Sequence, residues 1–410
     1  MEKKGNALPF VLLFLLITGI ISSLLVHLTW TALNFDKKTA FAKEAAIEME
    51  KFRRAELLLF AADNYPRGIR KLINNNFELT NTLRPFGLFV WYRSVLTRGK
   101  NSYREEGLLG NVRYPAGSGK TAFIHTRDNY PVLFGKEVNV KGDFIFSSKG
   151  FETETGRNVL NGKIKVNNNE IRLDKSLWSR LKAFMDSMIS EPSGRAEKRD
   201  SVFRSTSLSR ELARGNTVIR GPAFIRADIP FSGRKKFEFR DFVIIYSENK
   251  IVIPENVNSV YSIFVSDKKI EIRGGIHQSQ FWAPIIVSRA DTLFFPSFLI
   301  SGMNSSGEIF LNGVIEGGII VFGNENITAK KNVLSFGKEA EVEGVVICEG
   351  GISFPAAIRG TLFFSSSYQY ISPTDYFNLI HHLQLKAVTG EKILPLFVNY
   401  KPEYKAVYYR

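Results

Sequence analysis

The side chains best placed to do chemistry are few. Five histidines occur: His27, His125, His277, His381 and His382. None stands in the HExxH pattern or another ligand spacing that would hold zinc. His381 and His382 are neighbours and would face different sides of a helix. His27 lies in an apolar run near its outer boundary, which suits an interfacial position. Cys348 is the only cysteine, which excludes an intramolecular disulfide and a cysteine-based zinc site. It follows Val345-Val346-Ile347 and reads as a small buried hydrophobe. Gly117-Ser118-Gly119-Lys120-Thr121 looks like the end of a phosphate loop, but Tyr114 stands where that motif needs glycine. Ala122 to His125 also reads as a strand and not as the required helix, so the run is expected to be a hairpin turn. No Gly-x-Ser-x-Gly elbow exists, so nucleophilic and metal catalysis have no motif behind them. The carboxylates Glu341 and Glu343, with Lys338 nearby, could sit on a sugar-cleaving face, although a solvated strand edge is the plainer account. Asn304-Ser305-Ser306 and Asn326-Ile327-Thr328 match the glycosylation pattern, which matters only in a eukaryotic secretory setting. The expectation is a protein that is not an enzyme, with no catalytic, cofactor-binding or metal residues.

Composition sets the frame for those residues. The chain has 410 residues, 44% apolar and 23% charged, so it is not disordered as a whole and should hold one to three folded units. Lys and Arg number 55 against 40 Asp and Glu, a net +15 that favours acidic partners: nucleic acid, anionic lipid or anionic polysaccharide.

The strongest signal is near the amino end. After Glu2, Lys3 and Lys4 no charge appears until Asp36, and Phe10 to Val26 reads FVLLFLLITGIISSLLV. A spanning helix needs about 20 mostly apolar residues, and in hydrocarbon the backbone must satisfy itself as a helix. A cleaved signal peptide would need small residues before its cut; Trp30 occupies that place relative to Ala32. A retained anchor is therefore expected over residues 1–35, with the bilayer as its first partner. Lys3 and Lys4 argue for a cytoplasmic amino terminus and an extracytoplasmic bulk, with Lys37, Lys38 and Lys43 as opposing charges. Such an outward orientation leaves no role for nucleic acid. Gly19, Ser22 and Ser23 are small enough to let another helix approach. From Asp36 onward Phe41, Ala45, Met49, Phe52 and Leu59 make one helical stripe, and Pro66 and Gly68 end the helix.

Lys4-Gly5, then Asn6-Ala7-Leu8-Pro9-Phe10 and an apolar run, resembles the amino terminus of a type IV pilin or type II secretion pseudopilin. The resemblance implies cleavage between Gly5 and Asn6 and packing of the helix among other pilin-like subunits. Phe10 stands where those families usually carry glutamate; minor pseudopilins of the K type also lack it, so the resemblance leans to them. It covers about 60 residues.

Residues 36–102 read as a helical stalk and a basic linker region, in which Phe86, Phe89, Trp91 and Tyr92 beside basic residues suggest either a lipid-facing surface or a packed element. Residues 103–172 read as a first β region, and 173–214 as a helical insertion that is mobile over Glu191 to Ser209. Residues 215–372 alternate short β-branched and aromatic strands with glycine corners. A parallel β-solenoid accounts for that texture better than a sandwich, because stacked turns bury short apolar triplets. The phrases around Gly313, Gly344 and Gly360 read as turns of one repeat. Their texture, though no motif, resembles bactofilin-like and pectate-lyase-like β-helices. Residues 373–410 read as a helix over Asp375 to Leu385 and a tyrosine-rich tail.

The expected protein is mainly β: a solenoid behind one long transmembrane and stalk helix. It would be a single-pass structural or assembly protein of the cell envelope, in a bacterial inner membrane with its bulk in the periplasm. A tethered binder or lyase of anionic envelope polysaccharide is the alternative.

Overall fold

The computed structural model describes residues 8–62, 68–74, 77–111, 122–125, 131–146, 151–153, 159–162, 164–166, 179, 182–183, 185–186, 204–231, 236–302, 307–322, 332–371, 373–386 and 404–409. The chain divides into two compact units. One comprises Met1–Arg84, Tyr92–Gly107 and Tyr408–Arg410; the other comprises Pro85–Trp91 and Leu108–Val407.

In the first unit, helix α1 runs unbroken from Leu8–Ala62. It has no proline or glycine after Gly19 and stops four residues before Pro66, as helix-breaking chemistry requires. Its second half is amphipathic. Phe41, Ala45 and Met49 are buried and pack with Phe77, Leu79 and Leu96, while Tyr103 closes the edge. These partners come from strands Phe77–Phe86, Phe89–Arg98 and Asn101–Asn111. The Arg98 guanidinium lies 4.6 Å from the Phe77 ring centre and 5.4 Å from that of Phe41, and it pairs with Glu44 at 2.8 Å. One cation thus covers two rings and ties the helix to the sheet. The side chains of Phe52 and Leu59, which continue the stripe, lie outside the described residues. The stretch read as a basic linker is sheet: Gly68–Asn74 pairs antiparallel with Phe77–Phe86. Its aromatic side chains do not face lipid, because Phe86, Phe89, Trp91 and Tyr92 are all buried.

The second unit is a parallel β-solenoid with three faces. Strands Phe237–Ser247, Val257–Ser266, His277–Trp282, Thr292–Ser301, Val314–Val321 and Glu341–Ile352 each bend once and serve a first and a second face. Ile251–Ile253, Lys269–Ile272, Ile285–Ser288 and Glu308–Leu311 make the third. Every pairing among these strands is parallel. Stacking in register lines up the inward residues. On the second face Ile245, Phe264, Phe281, Leu299, Ile319, Val346 and Leu362 form one buried column.

The bend between the first two faces is built from small residues. Ser262 pairs with Ser279, Ser297 with Gly317, Gly317 with Gly344, and Gly344 with Gly360. A Cβ on Gly344 would stand 2.0 Å from the Gly317 carbonyl oxygen, so no side chain fits. The pairing corrects the expected repeat: Gly344 stacks on Gly317, and Gly313 instead opens the next face with φ +116°. The 16-residue step from Gly344 to Gly360 is one turn.

The second face is buried on both sides. Its outward residues Ile244, Ile263, Phe298 and Val345 are as enclosed as the inward ones. Residues Pro85–Trp91 lie against this outer side: Phe89 meets Phe298 edge-on at 5.7 Å, and Phe86 meets Phe242 at 5.6 Å.

The expected separation between a first β region and the solenoid does not exist in the strand pairing. Residues 122–166 stack onto the carboxy-terminal end of the same solenoid. Thr361–Phe364 pair with Ala122–His125, and Ala356–Arg359 pair with Leu383–Lys386. The next turn, Asn139–Lys141 and Asp143–Phe146, rests on both. One turn is therefore assembled from two segments that are far apart in the chain. The carboxy-terminal helix expected over Asp375 to Leu385 is replaced by strands Thr374–Phe377, Leu379–Ile380 and Leu383–Lys386. Asn378 and His382 turn the chain between them with φ of 58° and 50°.

Within the expected helical insertion, Arg204–Ser207 is a strand and only Leu208–Ala213, helix α2, forms a complete described helix. Arg204 to Ser209 therefore does not belong to a mobile loop. Ser207 caps α2, and the buried Glu211 receives Asn216 at 2.7 Å and Arg204 at 3.2 Å. Burial pushes the Glu211 carboxyl up, but these donors outweigh it and hold it below the usual carboxylate range.

Candidate functional site

The surface that most needs a partner is the first half of α1. Every large apolar side chain from Val11 to Phe35 is between 45% and 70% exposed. Exposing so many contiguous apolar residues to water is unfavourable by roughly 25 cal/mol for each Å². The segment is long and apolar enough to cross a membrane, a property that signal sequences share. Its threonines are compatible with hydrocarbon. The hydroxyls of Thr18, Thr29 and Thr31 donate to the carbonyls of Phe14, Leu25 and His27, four residues back, at 2.7–2.8 Å.

A shallow groove runs along this segment, lined by Leu15, Leu16, Gly19, Ile20, Ser23, Leu24 and His27. Gly19 and Ser23 are one helical turn apart, the small-x-x-x-small spacing that lets two backbones come close. A Cβ at Gly19 would meet nothing within 4 Å. Ser22, grouped with them in the sequence reading, is not among the groove residues. His27 is the next residue in the series after Gly19 and Ser23, and its ring stacks on Trp30 at 6.4 Å. The processing position Gly5 and Asn6 lies outside the described residues.

The remaining candidates resolve as follows. His277 is fully buried within a polar seam inside the first face. Its Nε2 lies 2.8 Å from the Gly274 carbonyl oxygen, and its Nδ1 lies 2.8 Å from Ser259 Oγ. A carbonyl only accepts, so Nε2 carries the proton and Nδ1 accepts from Ser259. Ser279 Oγ in turn donates to Ser259 Oγ at 2.8 Å. A serine beside a histidine could be a nucleophile and base, but these side chains are 0–1% exposed and no substrate atom can reach them. Burial pulls the imidazole down to about 4, and the seam works as a structural ladder between turns. Sequence reasoning passed over this seam; its signal was the recurrence of Ser259, Ser262, Ser279 and Ser297 at the start of successive apolar runs.

Cys348 is buried in the apolar column, and burial pushes its thiol up to about 12, which makes it inert. Glu341 pairs with Arg359 at 2.5 Å. Glu343 lies in register with Glu316 on one side and Arg359 on the other, and Lys338 is an exposed turn residue. Glu341 and Glu343 are alternate, half-buried residues of the strand Glu341–Ile352. His381 is half-buried against Phe354, and His382 Nδ1 lies 2.6 Å from Glu137 Oε2. Among the described residues no group of three His, Cys, Asp or Glu side chains is placed to hold a metal ion. The run Gly117 to Thr121, both Asn-x-Ser/Thr patterns and the His125 side chain lie outside the described residues. The chain matches no known family model, no curated protein sequence and no solved structure.

Proposed function

We propose that this protein is a single-pass, membrane-anchored structural component whose solenoid stands outside the cytoplasm, in a periplasm-like compartment of the cell envelope. The observation that carries this reading is the uncharged, mostly apolar surface of α1 from Val11 to Phe35, exposed on all sides and with its threonine hydroxyls satisfied internally. Lys3 and Lys4 ahead of it favour an amino terminus on the cytoplasmic side. The Gly19–Ser23 groove would receive a neighbouring helix, and the pilin-like start at Gly5-Asn6 points to subunits of a secretion or pilus system as the source of that helix. The solenoid supports a scaffolding role, because its stacked turns carry ion pairs such as Arg226–Glu248, Lys250–Glu271 and Arg359–Glu341 along their outer edges.

Membrane extraction tests the anchor. The full chain should stay with membranes in alkaline carbonate, and a chain lacking residues 1–35 should be released; release of the full chain would overturn the reading. Sequencing the mature amino terminus tests the processing. A start at Asn6 supports pilin-like assembly, and an intact Met1 leaves a plain anchor. Gly19→Leu should reduce co-purification of partner subunits from detergent extracts.

A further inference from the structure

We infer that the outer first face, where the solenoid's composite turn is assembled, is a docking ridge for a linear carboxylated polysaccharide. Strand pairing places Arg359 opposite Lys386. The next strand pairs Leu385 with Val140, and Lys386 and Lys141 follow those two residues directly. Three cations therefore stand on successive turns, one strand spacing apart, about 4.8 Å. All three are exposed, and they point outward because the alternate positions Ile358, Leu385 and Val140 are buried. Like charges directly opposite one another on neighbouring strands destabilise a sheet, so nothing in folding calls for this column. Elsewhere on the solenoid the opposite solution recurs. Arg220 pairs with Asp241, Arg240 with Glu238, Arg226 with Glu248, and Lys250 and Arg273 share Glu271. Among the described residues of the ridge only Arg359 has a carboxylate, Glu341, and Glu137 on the turn before Asn139–Lys141 is taken by His382. The acidic residues in register, Glu316 and Glu343, lie on the far side of Arg359 and mark where the cationic stretch ends.

The neighbours of the cations select the kind of anion. Gln384 pairs with Asn139 on the same outer side, and the Gln384 side chain is exposed beside Lys386. Amides interleaved with lysines suit a polymer carrying both hydroxyls and carboxylates. A lipid surface would call for exposed aromatic residues beside the charge. A chain with one carboxylate per sugar, running along the stack, would meet one cation at each turn. The inference stands on the solenoid alone and does not depend on the membrane reading.

The test uses the full chain in detergent and three probes: polygalacturonate, dextran, and vesicles containing anionic phospholipid. Polygalacturonate should bind, dextran should not, and binding should fade as salt rises. The double variant Lys141→Glu/Lys386→Glu should bind polygalacturonate about tenfold more weakly or worse, a loss of about 1.4 kcal/mol. Lys236→Glu/Lys268→Glu, which adds the same charge elsewhere, should bind like the parent. If charge reversal perturbs the fold, Lys141→Gln/Lys386→Gln serves in its place and should show the same direction. The proposal is overturned if the parent does not bind polygalacturonate, if both double variants weaken equally, or if the vesicles bind and the polysaccharide does not.

Discussion

Gln280 holds Leu88 by its backbone. Its Oε1 accepts the Leu88 N–H at 2.8 Å, and its Nε2 donates to the Phe86 carbonyl at 3.2 Å. One side-chain amide thus satisfies both polar groups of a buried turn on the outer second face. Gly87, between them, has φ +60°, and a Cβ there would stand 2.1 Å from Gln280 Oε1.

Gln280→Ala should therefore cost about 1–3 kcal/mol, because it strands a buried N–H and a buried C=O. Native-state hydrogen exchange is the measurement. The Leu88 amide should lose protection far more than amides of the inner column, such as Leu299. Equal loss at both would mean that the turn is held by its aromatic contacts alone.

The glycine corner predicts a sharp contrast between two substitutions. Gly344→Ala drives a Cβ into the Gly317 carbonyl at 2.0 Å and should abolish soluble folded protein or lower Tm steeply. Gly99→Ala, at φ +60° with nothing within 4 Å, pays only the cost of a left-handed backbone, roughly 1 kcal/mol. Thermal unfolding of the two variants side by side separates crowding from backbone preference. Similar shifts would refute the crowded corner.

Acid should weaken the solenoid through His277. Its folded pKa is lowered to about 4, so between that value and the ordinary histidine range the unfolded chain binds the proton more readily. Stability is then complete above about pH 6.5 and drains away as pH falls toward 4, by something near 3 kcal/mol. Urea midpoints at about pH 7.5 and pH 4.5 measure the slope. In His277→Leu that slope should flatten; a variant with the parent's slope would assign the acid sensitivity to other groups.

Ending the chain at Ile371 removes Leu379–Ile380 and Leu383–Lys386, one half of the composite turn. Residues 132–146 then lose Leu383–Lys386 and Leu379–Ile380, two of the strands on which they stack. Limited proteolysis should cut within residues 122–166 while Phe237–Ile352 survives. Resistance across both regions would show that the pairing through Ala122–His125 suffices.

Much of this was open to reading in advance. The long apolar helix followed from an uncharged run longer than a bilayer, and the stripe Phe41, Ala45, Met49 packs as its spacing indicated. The solenoid followed from glycine corners between apolar triplets. One part was missed because period-2 alternation fails when a strand is buried on both sides. Val243 to Tyr246 and Val345 to Cys348 are continuous apolar runs because inner and outer neighbours are both apolar, and that recurrence was the missed sign of a covered face. Asp375 to Leu385 suggested a helix by apolar spacing alone. Its first strand makes a hairpin with Tyr368–Ile371, while Leu379–Ile380 and Leu383–Leu385 pair with Leu133–Phe134 and Ala356–Ile358, which a local pattern does not show. The register of Gly317 with Gly344 was hidden because 27 positions separate them in the sequence, against 16 between Gly344 and Gly360. The cationic ridge was equally unreadable, since Arg359, Lys386 and Lys141 become neighbours only through the stacking.

The composite turn also orders events during biosynthesis. Leu383–Lys386 leaves the ribosome long after Asn139–Lys141, yet the earlier segment needs the later one to join the stack. If the chain is exported amino end first, residues 122–166 must wait on the far side of the membrane while some two hundred further residues are threaded through. In that case the intermediate presents Ala122–His125 and Asn139–Phe146 unmated, with free strand edges until the later segment arrives.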